Sequence, residues 1–213
     1  IIYKAPAIDL MGATVNIGIE HSLQAGTATG GDGGGAARSD TYGSGTGLGV
    51  TVAYEGLTLG AYGAERENKN PTAVDDVSDE FNGSWFVNYN FGPVSIGYQE
   101  TYFDAGVTAT AHDTTTVKTV GTSGGLFTGE AMSIAFNVND NLSISYSEVE
   151  DTYDSQDGAN SIDDQTQKTE SMQIAYSMGS MSIKAYATET SNPNYDTDAP
   201  KLNVNEIALG LAF

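Results

Sequence analysis

The chain contains no cysteine, so it has neither a disulfide framework nor a thiol nucleophile. It contains no run of 18 or more apolar residues, which excludes a membrane-spanning helix. Cations are scarce: 8 Lys and Arg stand against 28 Asp and Glu, for a formal charge of −20 over 213 residues. That balance argues against a nucleic-acid partner, because phosphate contacts need a basic face. It favours cations, or a salty habitat in which an acidic surface stays soluble. Histidine is limited to His21 and His112; His21-Ser22 lacks a recognisable partner geometry and His112 falls in an expected loop, so hydrolase chemistry has little to work with. An enzyme is not expected. The helical period of 3.6 is sustained nowhere. These absences leave strands untouched, since a membrane-spanning strand needs only about 9–11 alternating residues.

What the chain does have is a period of two. The clearest case is its end, where Ile207, Leu209, Leu211 and Phe213 alternate with Glu206, Ala208, Gly210 and Ala212. The same rhythm sets Ala13, Val15, Ile17 and Ile19 against Thr14, Asn16, Gly18 and Glu20. It returns at 48–54, 57–66, 85–91, 94–99, 132–138, 142–147, 172–178 and 181–188. Counting the short segment Ile1–Pro6, about eleven strands are expected, paired as antiparallel hairpins. Tight connections at 7–12, 55–56, 92–93, 139–141 and 179–180 alternate with long polar loops, placed at 24–45, 67–80, 104–125, 151–167 and 190–200.

Such alternation also suits a soluble β-sandwich. Two features disfavour that architecture. The polar faces carry Ser, Thr, Asn, Gly and Gln rather than Lys and Glu, and the short and long connections segregate to opposite ends. The pattern is that of an all-β transmembrane antiparallel barrel, with residues 1–213 in a single domain and aromatics Tyr54, Phe91, Phe136, Tyr176 and Phe213 near the tight turns. Phe213 then lies at the tight-turn end and Ile1 at the other. A barrel with both termini on one side needs an even strand number. Either Ile1–Pro6 is a stub and about ten strands close, or the chain is the later part of a larger barrel.

Tyr3-Lys4-Ala5-Pro6, followed by Met11-Gly12 and an alternating strand, resembles the Tyr-x-Ser/Ala-Pro…Gly hairpin found mid-chain in Gram-negative general porins. The alternation through Ile207, Leu209, Leu211 and Phe213 is similar to the carboxy-terminal assembly signal of outer-membrane proteins. The resemblance implies a barrel of sixteen strands in a homotrimer, with Ile1 opening the sixth strand. The loop that narrows the pore in that family would precede Ile1. On this reading the protein is incomplete at its amino end and passes small hydrophilic solutes through the outer membrane of a Gram-negative bacterium.

The residues expected to line such a pore are Lys4, Arg66 and Lys184, with Glu20, Tyr62 and Tyr186, all in the inward phase. Charge turned toward lipid costs about 2–4 kcal/mol at mid-depth, so the lumen is its cheaper place; a solvated rim position is the other reading. The acids Asp75, Asp76, Asp79, Asp151, Asp154, Asp157, Asp163 and Asp164 are expected in external loops, where they would enrich cations at the mouth or simply stay solvated. No cofactor is expected. Asp154–Asp164 could hold Ca2+, although its spacing is not that of an EF-hand. Outward acids Glu65, Glu100, Glu148 and Glu170 could meet lipopolysaccharide through divalent ions. A non-conducting structural or adhesin-type barrel is the alternative function.

Overall fold

The computed structural model describes residues 1–23, 42–68, 79–106, 125–154 and 164–211. All strands belong to one antiparallel sheet: β1 (Ile2–Lys4), β2 (Ile8–Leu10), β3 (Ala13–Ser22), β4 (Tyr42–Tyr54), β5 (Leu57–Asn68), β6 (Glu80–Phe91), β7 (Val94–Asp104), β8 (Leu126–Asn139), β9 (Leu142–Asp154), β10 (Gln165–Met178), β11 (Met181–Ser191) and β12 (Leu202–Leu211). Each strand from β3 onward pairs with its neighbours in sequence, without crossover. The single helical turn among the described residues is a 3-10 turn at Pro193–Tyr195.

The tight connections have the backbone that two-residue hairpins require. Met11 and Gly12 have φ of 55° and 92°, and Glu55 and Gly56 have 43° and 87°. Positive φ at both central positions matches the right-handed twist of the flanking strands. At Gly56 the need for glycine is double, since a Cβ there would lie 2.4 Å from the Asn90 carbonyl oxygen. At 139–141 a side chain does the work: Asn139 Oδ1 accepts from the amides of Asn141 (2.9 Å) and Leu142 (3.0 Å).

The sequence pattern treats 7–12 as one connection, but the structure inserts β2 there. β1 and β2 both pair with β3, Lys4 opposite Gly18 and Ile8 opposite Val15. The register slips by one residue around Pro6, which has no amide hydrogen for the ladder. This bulge keeps Tyr3, Ile8 and Leu10 on the same face as Val15 and Ile19. The loop expected over 24–45 is also shorter than its glycine content suggested. β4 begins at Tyr42, and Gly43, Gly45, Gly47 and Gly49 occupy alternate strand positions. A Cβ at Gly47 would sit 2.7 Å from Glu20 Cγ, so glycine here makes room for a neighbouring strand's side chain.

No second sheet covers the apolar face among the described residues. Tyr153 is the one large apolar side chain buried there, at 2% exposure, and it lies on the other face. Ile207, Leu209 and Leu211 are 79%, 62% and 55% exposed. The polar face curls inward. One hollow of about 630 Å3 touches Thr58 of β5, Asn88 of β6, Ser95 of β7, Ser133 of β8, Ser147 of β9 and Gln173 of β10. Six flat strands would spread those residues over about 24 Å. The sheet is open along its described edges: β1 and β2 form one, β12 the other.

Candidate functional site

The candidate site is the polar face, and register places all six expected pore-lining residues on it. Lys4 lies opposite Gly18, and Glu20 stands next along β3 on the same face. Tyr62 and Arg66 pair with Ser84 and Glu80. Lys184 and Tyr186 pair with Ala208 and Glu206. The Tyr62 hydroxyl donates to Glu20 Oε1 across the glycines of β4. Tyr186 donates to Glu206 Oε2 at 2.7 Å. Arg66 holds Glu80 at 2.6 Å. Glu80 escaped the sequence reading because it falls at the edge of an expected loop; its parity opposite Arg66 was the available signal. Among the described residues Lys4 and Lys184 form no ion pair, so two solvated ammonium groups remain on this face.

Between these charges the wall is neutral and hydrogen-bonding. Asn16 donates to Thr51 at 3.3 Å, and hydroxyl pairs join Thr169 to Thr190 and Ser171 to Thr188, each at 3.0 Å. These side chains satisfy one another across strands and leave further valences for water.

Toward the long-loop ends the two faces exchange character. On the apolar face Glu100, Glu130 and Glu150 lie directly opposite one another on β7, β8 and β9. Glu148, Glu170 and Glu189 do the same on β9, β10 and β11. Lys168 sits among them, 2.7 Å from Glu148 and 3.1 Å from Glu150. Aromatic groups tether the row from below. Trp85 Nε1 and the Tyr98 hydroxyl donate to Glu100 at 2.9 and 2.8 Å. The Tyr146 hydroxyl lies 2.9 Å from Glu148 and 2.8 Å from Glu170 and can donate its proton to one at a time. Lys201, just before β12, bonds Glu189, which holds its ammonium protonated to higher pH than usual. Glu100, Glu148 and Glu170 are thus part of a longer belt, whereas Glu65 lies opposite Phe81 and outside it. Glu130, Glu150 and Glu189 escape the sequence reading because no single strand shows the lateral alignment.

On the polar face at this same level, Phe103, Phe127 and Tyr153 form an aromatic cluster with Tyr195. Phe127 and Tyr153 have centroids 4.8 Å apart, and Phe103 lies 6.2 Å from Phe127. β12 shows the exchange too: Asn203 and Asn205 take the apolar-face phase, opposite Glu189 and Ala187.

The acidic-loop expectation needs correction at two positions. Asp151 and Asp154 are residues of β9, not loop residues. The β9–β10 ladder runs on to Tyr153 opposite Gln165, so backbone pairing overrides the weak strand preference of Asp. Asp79 and Asp164 immediately precede β6 and β10. Asp75, Asp76, Asp157 and Asp163 lie outside the described residues, as do His112, Phe213 and most of the segment considered for Ca2+. Among the described residues no three His, Asp or Glu side chains converge as a metal-ligand set. No helix there is long and apolar enough to cross a membrane, which says nothing of strands. Compared with known proteins, the chain matches no family model and no curated sequence.

Proposed function

We propose that this chain is the wall of an outer-membrane diffusion channel of the general-porin type, passing small hydrophilic solutes and ions. The observation that carries the reading is the division of one curled sheet into an exposed apolar face and an inner polar one. An apolar face of this extent, with none of the described residues packed over it, suits lipid. The inner face, with its hydroxyls, amides and paired charges, suits water.

Strand direction limits how such a sheet could close. β1, β2 and β12 run the same way, so an all-antiparallel barrel needs an odd number of further strands between them. Five would bring the eleven lateral positions to sixteen, the number the porin resemblance implies, in a homotrimer. The aromatics Tyr54, Phe91, Phe136 and Tyr176, close to the tight turns, would mark the periplasmic interface.

With a formal charge of −20, the channel would prefer cations. Reconstitution into planar bilayers tests this reading. Stepwise conductance with a cation-selective reversal potential under a salt gradient is expected. Absence of conductance would leave a structural or adhesin-type barrel, and anion selectivity would refute the electrostatic part.

A further inference from the structure

The connection from β11 to β12 is longer than its geometry demands. Adjacent antiparallel strands need only two residues between them, yet here ten residues, 192–201, make a detour. The detour runs sideways along the polar face. Asn192 Nδ2 donates to the Thr166 carbonyl on β10 at 2.9 Å, and the Asn194 amide donates to Gln167 Oε1 at 2.8 Å. Tyr195 then reaches Tyr153 on β9 and Phe127 on β8, with ring centroids 6.0 and 5.9 Å away. From β11 to β8 is three strand spacings, about 14 Å. The chain then returns to Leu202 beside β11.

The detour is conformationally demanding. Asn192, Asn194 and Tyr195 have φ of 50°, 58° and 58°, a left-handed region that Asn tolerates and a bulky Tyr rarely enters. Something must hold Tyr195 there, and the aromatic cluster is what it meets. Phe127 and Tyr153 are polar-face residues, so the strap lies on the inner side of the wall rather than outside it. Connections normally run over the outer surface of a protein.

We propose that residues 192–200 are an inward-folded strap, anchored by Tyr195 on Phe127 and Tyr153, that sets the size limit of the opening at the long-loop end. Tyr195 is a specificity-determining residue of the channel, acting by position and not by contact chemistry. The claim about size rests on the diffusion-channel reading; the docking of the strap does not.

Two measurements separate these. The chain has no cysteine of its own, so Gln167→Cys with Asn194→Cys gives a single pair of thiols across the contact between the Asn194 amide and the Gln167 side chain. A short bifunctional maleimide is expected to join them in the folded protein, and failure to cross-link would overturn the docked strap whether or not the protein conducts. In bilayers, Tyr195→Ala is expected to raise single-channel conductance and to admit larger polyethylene glycols. Tyr195→Phe, which keeps the ring, should leave both as in the parent. Cross-linking with an unchanged size limit in Tyr195→Ala would overturn the proposal, with the channel reading intact. Cross-linking in a protein that never conducts would overturn both.

Discussion

The same strands obey opposite rules at their two ends. Near the tight turns, β9 and β10 show Ile144, Tyr146, Met172 and Ile174 on one face and Ser143, Ser145, Gln173 and Ala175 on the other. A few residues on, the first face carries Glu148, Glu150 and Glu170, and the second carries Tyr153. A soluble sheet packed on a core has no reason to change at one level across β7 to β12. A sheet crossing from hydrocarbon into a headgroup layer does: carboxylates are tolerated outside once lipid tails end, and aromatics can gather inside where the wall meets a strap. On the proposed channel reading, this exchange of character is where the hydrocarbon boundary would fall.

The largest effects should come from Tyr153 on the polar face and Ile174 on the apolar one. Tyr153→Ala empties the one buried aromatic site among the described residues and should cost about 3–5 kcal/mol, by analogy with buried Phe→Ala. Ser145→Ala, on the same face of the same strand at its other end, should stay within about 0.5 kcal/mol. Equilibrium unfolding in liposomes compares the two, and equal costs would erase the difference between the ends. On the outer face, Ile174→Arg should cost about 2–4 kcal/mol, whereas Glu170→Arg, at the carboxylate belt, should cost about 0–1 kcal/mol. Gly56→Ala tests the turn end alone, where a positive φ and the Asn90 carbonyl both oppose a Cβ; about 1–3 kcal/mol is expected in the same assay.

The smallest effect is a pH dependence at the long-loop end. Burial, and then the charge of Asp151, raise the Tyr195 phenol above its ordinary 10.0. The folded state therefore holds this proton more firmly than the unfolded chain. Its contribution is complete below about pH 10 and is lost as pH climbs through the raised value. The strap should loosen above pH 10, seen as faster proteolysis at 192–200, and Tyr195→Phe should remove that component.

How much of this could be read from the sequence follows the same division. Where a strand alternates without interruption, as in Glu206–Leu211, strand, phase and face are all legible, because side-chain direction depends only on the period of two. That argument alone puts Glu20, Tyr62, Arg66, Lys184 and Tyr186 on the polar face, where the register also has them, whereas Lys4, beyond the Pro6 bulge, needs its pairing with β3 to be phased. Near the long-loop ends composition misled. Gly43 and Gly45 read as loop, yet belong to a strand where neighbouring side chains fill the space. Asp151 and Asp154 read as loop, yet sit in the ladder with β8, opposite Gly129 and Leu126. The bulge at Pro6 shifts phase, and nothing in a single strand reveals it until β3 supplies the register. The carboxylate belt and the Tyr195 strap depend on lateral alignment across several strands, which no local pattern encodes.

The most direct test of the account reads the two faces one residue at a time. In this cysteine-free chain, single cysteines at successive positions 171–176 of β10 can carry a spin label in reconstituted vesicles. Accessibility to a lipid-soluble relaxant should peak at 172, 174 and 176, and accessibility to a water-soluble one at 171, 173 and 175. Strict alternation between lipid and water is the expected result. Even-numbered positions shielded from both reagents would mean that protein covers the apolar face, and the channel account would be wrong.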